Sequence, residues 1–402
     1  MAESFVYREL GGPGRRFWGL LALLAVPLAL GALAYFYIEH YGHIVTGMDN
    51  QIVWGMPHVF AVFLVVAATG ALNLAMAASV FGKNIYKPWA PLSALVSLAL
   101  LFGGLAVLML DLGRSDRMIV AITRLNPQSI FALRVILYDG FMVSVGIYLW
   151  FLLERRMNRY VRPVAMLAFF WQMLLVTGTG LEFGFNLRAL YDSVLYAPMF
   201  IAYSSAYGTA VLMLILFAVC GWEQQPVSGE LLRRLKNLLG IFVAASLFFT
   251  LLFLSSKHEL PRSRDIAQFL LFDGGVYTAL LWVGQLAVGG VVPLALLLRS
   301  QVSRSALAAA CALVLLGGLA QMYVTLIGGQ AYPQILFPGM VEASSFFDGE
   351  IHPYTPSLAE SLLGLGGVAL AAAVVAVALR ALALLPERFD QAPGPQSPGS
   401  KS

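Results

Sequence analysis

The chain has 402 residues, of which 59% are hydrophobic and 11% are charged, and its mean hydropathy is +0.80. This composition excludes a soluble globular domain and is typical of a protein that crosses the membrane several times. The net charge of +4 needs no nucleic acid to explain it, because polytopic proteins concentrate Lys and Arg in the loops of one side.

Ten apolar spans predict an all-α integral membrane protein, since a hydrocarbon core of about 30 Å needs about 20 apolar residues per helix. In chain order the spans cover residues 17–38, 54–81, 89–110, 130–153, 161–181, 198–221, 237–254, 275–298, 305–327 and 358–385. Residues 1–385 then form one membrane domain. In it, two four-helix bundles, 54–181 and 198–327, are flanked by the first and last helices. The segment 386–402, rich in Pro, Gly, Ser and Gln, is predicted to be a disordered cytoplasmic tail.

The distribution of basic residues predicts the orientation. If the N-terminus is cytoplasmic, the inner segments carry 17 Lys and Arg and the outer segments carry 7. We therefore expect a protein of the bacterial inner membrane with both termini on the cytoplasmic side. Arg15 and Arg16 precede the first span in the manner of a twin-arginine export signal. The apolar run continues to Ile38, however, which is too long for a cleaved signal and favours an uncleaved helix.

Polar side chains collect at the outer ends of spans two to five. They are His58 at the start of span two, Asp111 and Arg114 at the end of span three, Arg134, Tyr138 and Asp139 in span four, and Glu182 and Asn186 after span five. An ionisable group at membrane depth needs a partner, and two interpretations follow. Arg134 is neutralised by Asp139 or Asp111 simply to hold helices together, or the whole group lines a pocket that opens to the outer leaflet.

The mixture of a histidine, a tyrosine and carboxylates favours a quinone site. Quinone chemistry moves two electrons and two protons, so it needs a hydrogen-bond donor for each carbonyl and a titratable relay to water. A lone His58 would be read as a structural histidine, but beside Tyr138 and Asp139 it becomes a plausible donor to a quinone carbonyl.

The charged stretch after span three carries a family resemblance. The Asp111-Leu112-Gly113-Arg114 run, followed by Asn126-Pro127-Gln128-Ser129 before span four, resembles the signature of the NrfD/PsrC family of polysulfide reductase-like membrane subunits. Trp54-Gly55 and the segments 327–330 and 354–360 resemble its ten-helix branch, which includes the quinone-reactive subunits of Dsr sulfur-metabolism complexes. Ser115 stands where the family has a proline.

The resemblance implies a haem-free subunit that exchanges electrons between membrane quinone, either menaquinone or ubiquinone, and a periplasmic ferredoxin-like iron-sulfur subunit. Further redox subunits such as a cytochrome c are implied, and the chain is not catalytic alone. His58 and Tyr138 match the residues that contact quinone in family members. Asp111 and Arg114 match the signature and are placed at the pocket rim, facing the iron-sulfur partner.

The remaining chemistry of the chain agrees with a subunit that holds no metal. Its only two cysteines, Cys220 and Cys311, lie inside apolar spans, so a cluster with four thiolate ligands cannot be built. His58 is the one histidine within a predicted span, whereas a membrane haem needs axial ligands on facing helices. We therefore predict neither haem nor an iron-sulfur cluster in this chain.

Two outer segments are candidates for contact with a partner. Residues 111–129 predict a short surface helix, which either lies flat on the membrane or docks another subunit. The loop 328–357 has no Lys or Arg and several aromatic residues, and loops of this length are usually functional or ordered by a partner.

The second bundle leaves two alternatives open as well. Its Ser, Thr, Tyr and Gln side chains either join helices by hydrogen bonds or form a proton path toward the cytoplasm. At the level of the whole protein, a secondary transporter of two helical halves is the competing hypothesis. Transporter sites lie near the midplane, whereas the charges here crowd toward one surface, which favours the redox interpretation. A purely structural anchor is the third possibility.

Overall fold

The computed structural model describes the chain in six stretches. They are residues 6–124, 126, 129–186, 188–333, 350–351 and 353–389. Statements about the fold and its contacts refer to these residues.

Ten helices in the described part of the chain are long and apolar enough to cross a membrane, which confirms the predicted number. They are α1 Gly14–Tyr41, α2 Met56–Ser79, α3 Asn84–Leu110, α4 Ala132–Leu153, α5 Arg156–Gly184, α6 Tyr196–Glu223, α7 Gly229–Glu259, α8 Val276–Leu297, α9 Arg304–Ala331 and α10 Leu358–Ala381. Each overlaps the corresponding predicted span. The all-α class is confirmed too, since the described strands are one pair of two residues each.

An even number of crossings brings both termini to one end of the molecule, which we call the terminus face. The opposite end, the site face, carries the connections from α1 to α2, α3 to α4, α5 to α6, α7 to α8 and α9 to α10. Which face meets the cytoplasm stays a prediction from the positive-inside rule.

The helices pack as two groups of four. Neighbours from α2 to α5 contact one another and α5 returns to α2, and α6 to α9 form an equivalent ring. Helix α2 also packs against α6 and α10, while α1 lies along α10 beside the first group. Helix α2 is therefore the central helix, with 94% of its most apolar window buried. Side chains at its start are held between several helices.

Small residues let α2 and α6 approach closely where the two groups meet. A Cβ atom on Gly70 would lie 1.6 Å from the carbonyl oxygen of Ser204, and one on Gly208 would lie 2.0 Å from the amide nitrogen of Ala71. Close backbone approach through glycine is how membrane helices gain van der Waals contact. Neither position can accept a larger residue without moving the helices apart.

The polar side chains of the second group make hydrogen bonds between helices. Tyr203 of α6 meets Thr250 of α7 at 2.6 Å between hydroxyl oxygens. Tyr207 of α6 donates to Gln321 of α9 at 3.1 Å, and within α9 the Gln321 side chain donates to Thr325 at 2.9 Å. These contacts support the helix-joining interpretation. The alternative of a proton path stays a prediction.

The two ends of the described chain fasten the terminus face. Strand β1, Tyr7–Arg8, pairs antiparallel with strand β2, Leu385–Pro386. The Arg8 guanidinium lies 2.6 Å from a carboxylate oxygen of Glu223 at the end of α6. The N-terminal segment thus connects the last helix of the chain to the second group.

Strand β2 corrects the prediction for the C-terminal tail. The prediction that disorder begins at residue 386 is wrong. Pro386 is in β2, and the buried Phe389 ring packs against Trp89. Helix α10 ends at Ala381, earlier than the predicted 385, because the chain turns there toward β2. Residues 390–402 lie outside the described part.

The structure describes most of the outer segment 111–129 but only the two ends of the outer segment 328–357. A short helix, Met118–Thr123, is present between α3 and α4, and Ile119 and Val120 are exposed on it. Its role at a membrane surface or against a partner stays a prediction. The predicted loop 328–357 begins later, because α9 continues to Ala331, and residues 334–349 and 352 lie outside the described part.

Candidate functional site

A histidine and an aspartate meet at the site face, where α2 begins and α3 ends. His58 is in the first turn of α2, and Asp111 follows the last residue of α3. The His58 Nδ1 atom lies 2.8 Å from an Asp111 carboxylate oxygen, and the Asp111 side chain is 1% exposed. The sequence placed both residues at this face, and packing of α2 against α3 brings them into contact.

The Asp111 carboxylate is poorly satisfied by the protein. Within the described residues neither of its oxygens, nor Nδ1 of His58, has a hydrogen bond of good geometry, although the pair is within ion-pair distance. A buried carboxylate without donors is costly. The contact through Nδ1 leaves Nε2 on the opposite side of the imidazole ring, where it can meet a ligand.

An aromatic ring covers one side of the imidazole. Trp54, just ahead of α2, stacks on His58 with ring centroids 6.3 Å apart and planes at 25°. The Trp54 ring also lies nearly perpendicular to the Phe183 ring of α5, with 6.3 Å between centroids and planes at 84°. Such flat apolar surfaces suit a planar ring, and Trp54 joins the start of α2 to the end of α5.

Arg134 of α4 forms an ion pair with Glu182 of α5. Its guanidinium also donates a hydrogen bond to the Tyr138 hydroxyl at 3.1 Å. The expectation that Arg134 pairs with Asp139 or Asp111 is therefore wrong. Asp139 is five residues further on, which turns it about 140° around the helix from Arg134, and Asp111 is in contact with His58 instead.

The predicted site residues form two pairs and two separate, exposed residues. His58 and Asp111 form one pair, and Arg134 and Tyr138 form another. Asp139 is exposed on α4, away from Arg134. Arg114 is exposed beyond the end of α3, where Gly113 has the positive φ of 70° that glycine adopts without strain. Asp139 therefore belongs to a different surface from the two pairs.

A glutamine of α9 fixes the chain just before α2. Gln330 is fully buried, and its side-chain oxygen accepts hydrogen bonds from the backbone N–H groups of Val53 and Trp54, both at 3.0 Å. Its amide nitrogen donates to the carbonyl oxygen of Trp54 at 3.0 Å. The partly buried Arg188 guanidinium, whose pKa burial lowers, donates to the Gln330 carbonyl at 3.2 Å. Trp54 thereby has a fixed position above His58.

A buried glutamate of α10 fixes the first turn of α2. Glu360 is fully buried and accepts from the Tyr354 hydroxyl at 2.5 Å, from Gly47 N–H at 2.8 Å and from Ser357 N–H at 2.8 Å. The Tyr354 oxygen in turn accepts from the N–H of Met56 at 2.7 Å. Burial and the Glu360 carboxylate raise the pKa of Tyr354 well above its usual value, so its hydroxyl keeps its proton and remains a donor.

Sequence reasoning did not assign these supporting residues to the site. Gln330 and Glu360 fall in the two late segments that carried the family resemblance, and Ser357 and Glu360 have the spacing of a helix capping box, which the structure contains. That spacing could have identified the start of α10. Glu182 was recognised at the outer face, but its pairing with Arg134 has no local sequence signal.

No three His, Cys, Asp or Glu side chains gather as a metal site among the described residues. Both cysteines are buried and unpaired with each other. The absence of haem and of iron-sulfur clusters from this chain stays a prediction from the sequence.

Comparison with known proteins places the chain among membrane redox subunits. Residues 44–334 match the family model described as polysulphide reductase, NrfD. The chain is 27% identical over 389 residues to the Hdr-like menaquinol oxidoreductase integral membrane subunit of Archaeoglobus fulgidus, covering 95% of this chain and 97% of that protein. It is 28% identical over 425 residues to a putative dimethyl sulfoxide reductase membrane subunit of Halobacterium salinarum, covering 95% and 94%.

A third relative is more distant. A selenate reductase subunit of Mesobacillus selenatarsenatis is 20% identical over 394 residues, covering 88% of this chain and 90% of that protein. All three relatives are named as subunits of reductases or oxidoreductases, and all are matched over most of their length.

Proposed function

Because the chain belongs to the NrfD polysulphide reductase family, we propose that it is the quinone-reactive membrane subunit of a multi-subunit oxidoreductase. It exchanges electrons between membrane quinone or quinol and an iron-sulfur subunit bound at the site face. The observation that carries the proposal is the contact of His58 with the buried Asp111 carboxylate, beside the ring of Trp54.

The polar atoms at this position fit a quinone. When bound, quinone supplies a reversible two-electron, two-proton couple. Asp111 and His58 Nδ1 lack well-formed hydrogen bonds among the described residues, so this pair has capacity for a proton. His58 Nε2 can accept or donate a proton at a ring oxygen, and the Asp111 carboxylate, 2.8 Å from Nδ1, holds the imidazole ring in position. Asp111 directly follows the last residue of α3, where the chain enters the connection to α4. A proton that leaves the pair on this side moves toward the aqueous end of the helices.

Tyr138 is the second proposed contact. Its oxygen accepts from Arg134, so its own O–H proton is directed to another acceptor, as a donor to the second ring oxygen requires. The ion pair of Arg134 with Glu182 holds the guanidinium in place. Arg134 is therefore a positioning residue, and Asp139, exposed on α4, has no part in this site.

The site face is the proposed docking surface for the electron-transfer partner. The pair lies at this face together with the exposed Arg114 and the short helix Met118–Thr123. The positive-inside rule predicts that this face lies in the periplasm, where the family resemblance implies a ferredoxin-like subunit. A cytochrome c as a further subunit, the sulfur-metabolism role and the choice between menaquinone and ubiquinone are parts of the same proposal.

The relatives favour this function over a secondary transporter. All three names describe reductase or oxidoreductase subunits. The pair formed by His58 and Asp111 also lies at one end of the helices, in the first turn of α2 and beyond the end of α3, whereas transporter sites lie near the midplane.

The test is a gentle purification of the tagged chain from its native membrane. Subunits that co-purify are identified by mass spectrometry, and bound quinone is extracted and quantified. We expect an iron-sulfur subunit and quinone in amounts close to one per chain. A chain that purifies alone and without quinone would contradict the proposal and would favour the secondary transporter instead.

A further inference from the structure

A cavity opens at the terminus face, between the end of α6 and the start of α9. Its volume is about 490 Å³, which is within the usual range for small-ligand sites. The lining divides into a polar part and an apolar part. The polar part is formed by Gln224, Gln225, Arg304 and Ser305, and the apolar part includes Phe217 and Ala308. The cavity is at the opposite face from His58.

The polar part contains one charged side chain, that of the exposed Arg304. Arg304 forms no ion pair among the described residues, whereas Glu223, close by in the chain, is bound to Arg8 and to the N–H of Gly11. Arg304 is also the first residue of α9, and the Ser303 hydroxyl caps only the N–H of Ala306. The N–H groups of a helix start that lack intrahelical partners attract anions, and so does the helix dipole.

The apolar part belongs to the membrane-spanning surface. Phe217 and Gly221 are in the last turns of α6, and Ala308 is one turn into α9. A Cβ atom on Gly221 would have no neighbour within 4 Å, so there is open space along this wall. A small soluble anion has no apolar surface to bury against this wall, whereas a hydrocarbon chain does.

We propose that this cavity binds an anionic phospholipid, with its phosphate at Arg304 and the start of α9 and an acyl chain along Phe217 and Ala308. An anionic phospholipid has a negatively charged phosphate next to its hydrocarbon chains. The cavity has the matching arrangement, a basic side chain next to an apolar wall. Basic pockets between membrane helices are known to select anionic headgroups. The inference does not depend on the proposed quinone chemistry.

The experiment measures lipid retention by the complete purified protein in detergent. Phosphatidylglycerol or phosphatidylcholine is added at equal concentrations, and native mass spectrometry reports how many lipids remain bound. We expect one phosphatidylglycerol to be retained in preference to phosphatidylcholine. The change Arg304→Gln should weaken that retention about fivefold, the factor that one basic residue contributes near an anionic lipid.

Two further variants keep the result interpretable. Arg299→Gln removes the same charge from the loop before α9, outside the cavity lining, and should retain the lipid like the unchanged protein. Gly221→Leu fills the open space along the wall without a change of charge, and should reduce retention even if Arg304→Gln fails to fold. Equal retention in Gly221→Leu and the unchanged protein, or in Arg304→Gln and Arg299→Gln, overturns the proposal.

Inorganic phosphate distinguishes a lipid from a water-soluble anion. We expect millimolar phosphate to leave the bound phosphatidylglycerol in place, because phosphate cannot use the apolar wall. Displacement of the lipid by phosphate alone would show a site for aqueous anions and would overturn the assignment to lipid.

Discussion

Removal of one hydroxyl group should loosen the start of the central helix. In Tyr354→Phe, the buried Glu360 carboxylate loses a donor at 2.5 Å and the N–H of Met56 loses its acceptor at 2.7 Å. A hydrogen bond to a charged group contributes about 1.5–3 kcal/mol, and an orphaned buried N–H costs about 1–3 kcal/mol. We therefore expect a loss of about 3 kcal/mol in the free energy of unfolding.

The assay is thermal unfolding in detergent, followed by tryptophan fluorescence. With the unfolding entropy per residue of soluble proteins, about 3 kcal/mol over a chain of this size lowers the midpoint by about 4 °C. His58 is two residues beyond Met56, so quinol-dependent electron transfer should fall as well. The two effects should appear together if the network positions His58.

A matched control is Tyr332→Phe. The Tyr332 ring packs against Phe269, but its hydroxyl makes no hydrogen bond within the described residues. Tyr332→Phe therefore removes a hydroxyl oxygen from the same connection, between α9 and α10, with little loss in the free energy of unfolding. If Tyr354→Phe unfolds at the same temperature as Tyr332→Phe and transfers electrons as fast, the reasoning about Glu360 and Tyr354 is refuted.

Three other substitutions test separate parts of the structure. Arg134→Gln leaves the Glu182 carboxylate without its cation and should destabilise the protein by about 3–5 kcal/mol; adding Glu182→Gln should restore most of the unfolding midpoint, and a double variant no better than the single one would contradict the ion pair. Gly208→Ala places a methyl group 2.0 Å from a backbone nitrogen of α2 and should lower the yield of monodisperse protein in size-exclusion chromatography, whereas Gly221→Ala, with open space around it, should not. Tyr138→Phe should raise the KM for quinol in the assembled complex with little change in folding, and an unchanged KM would remove Tyr138 from the site.

The helices of this protein could be predicted from sequence because the membrane imposes a simple length rule. Every predicted span overlaps a helix of the structure, and the errors are at the ends. Helix α10 stops at Ala381 because the following residues turn into strand β2. That strand pairs with Tyr7 and Arg8, at the far end of the chain, so local hydropathy contains no sign of it.

The candidate site was accessible to sequence reasoning only in part. His58 and Asp111 were placed at one face by alternating topology, and their contact follows from the packing of α2 on α3. The partner of Arg134 was wrong, because helix periodicity relates residues on one helix and says nothing about Glu182 on the next. Gln330 contacts Trp54 across 276 residues, and such a long-range bond has no pattern in a single sequence.

The most direct measurement of the central claim is quinol-dependent electron transfer through the intact complex carrying His58→Ala. We expect a rate at least about 100-fold lower, the usual contribution of a positioned acid or base, with the same subunits still co-purifying. The control is His40→Ala, since His40 is exposed at the end of α1, and it should transfer electrons at the normal rate. A normal rate in His58→Ala would contradict the account.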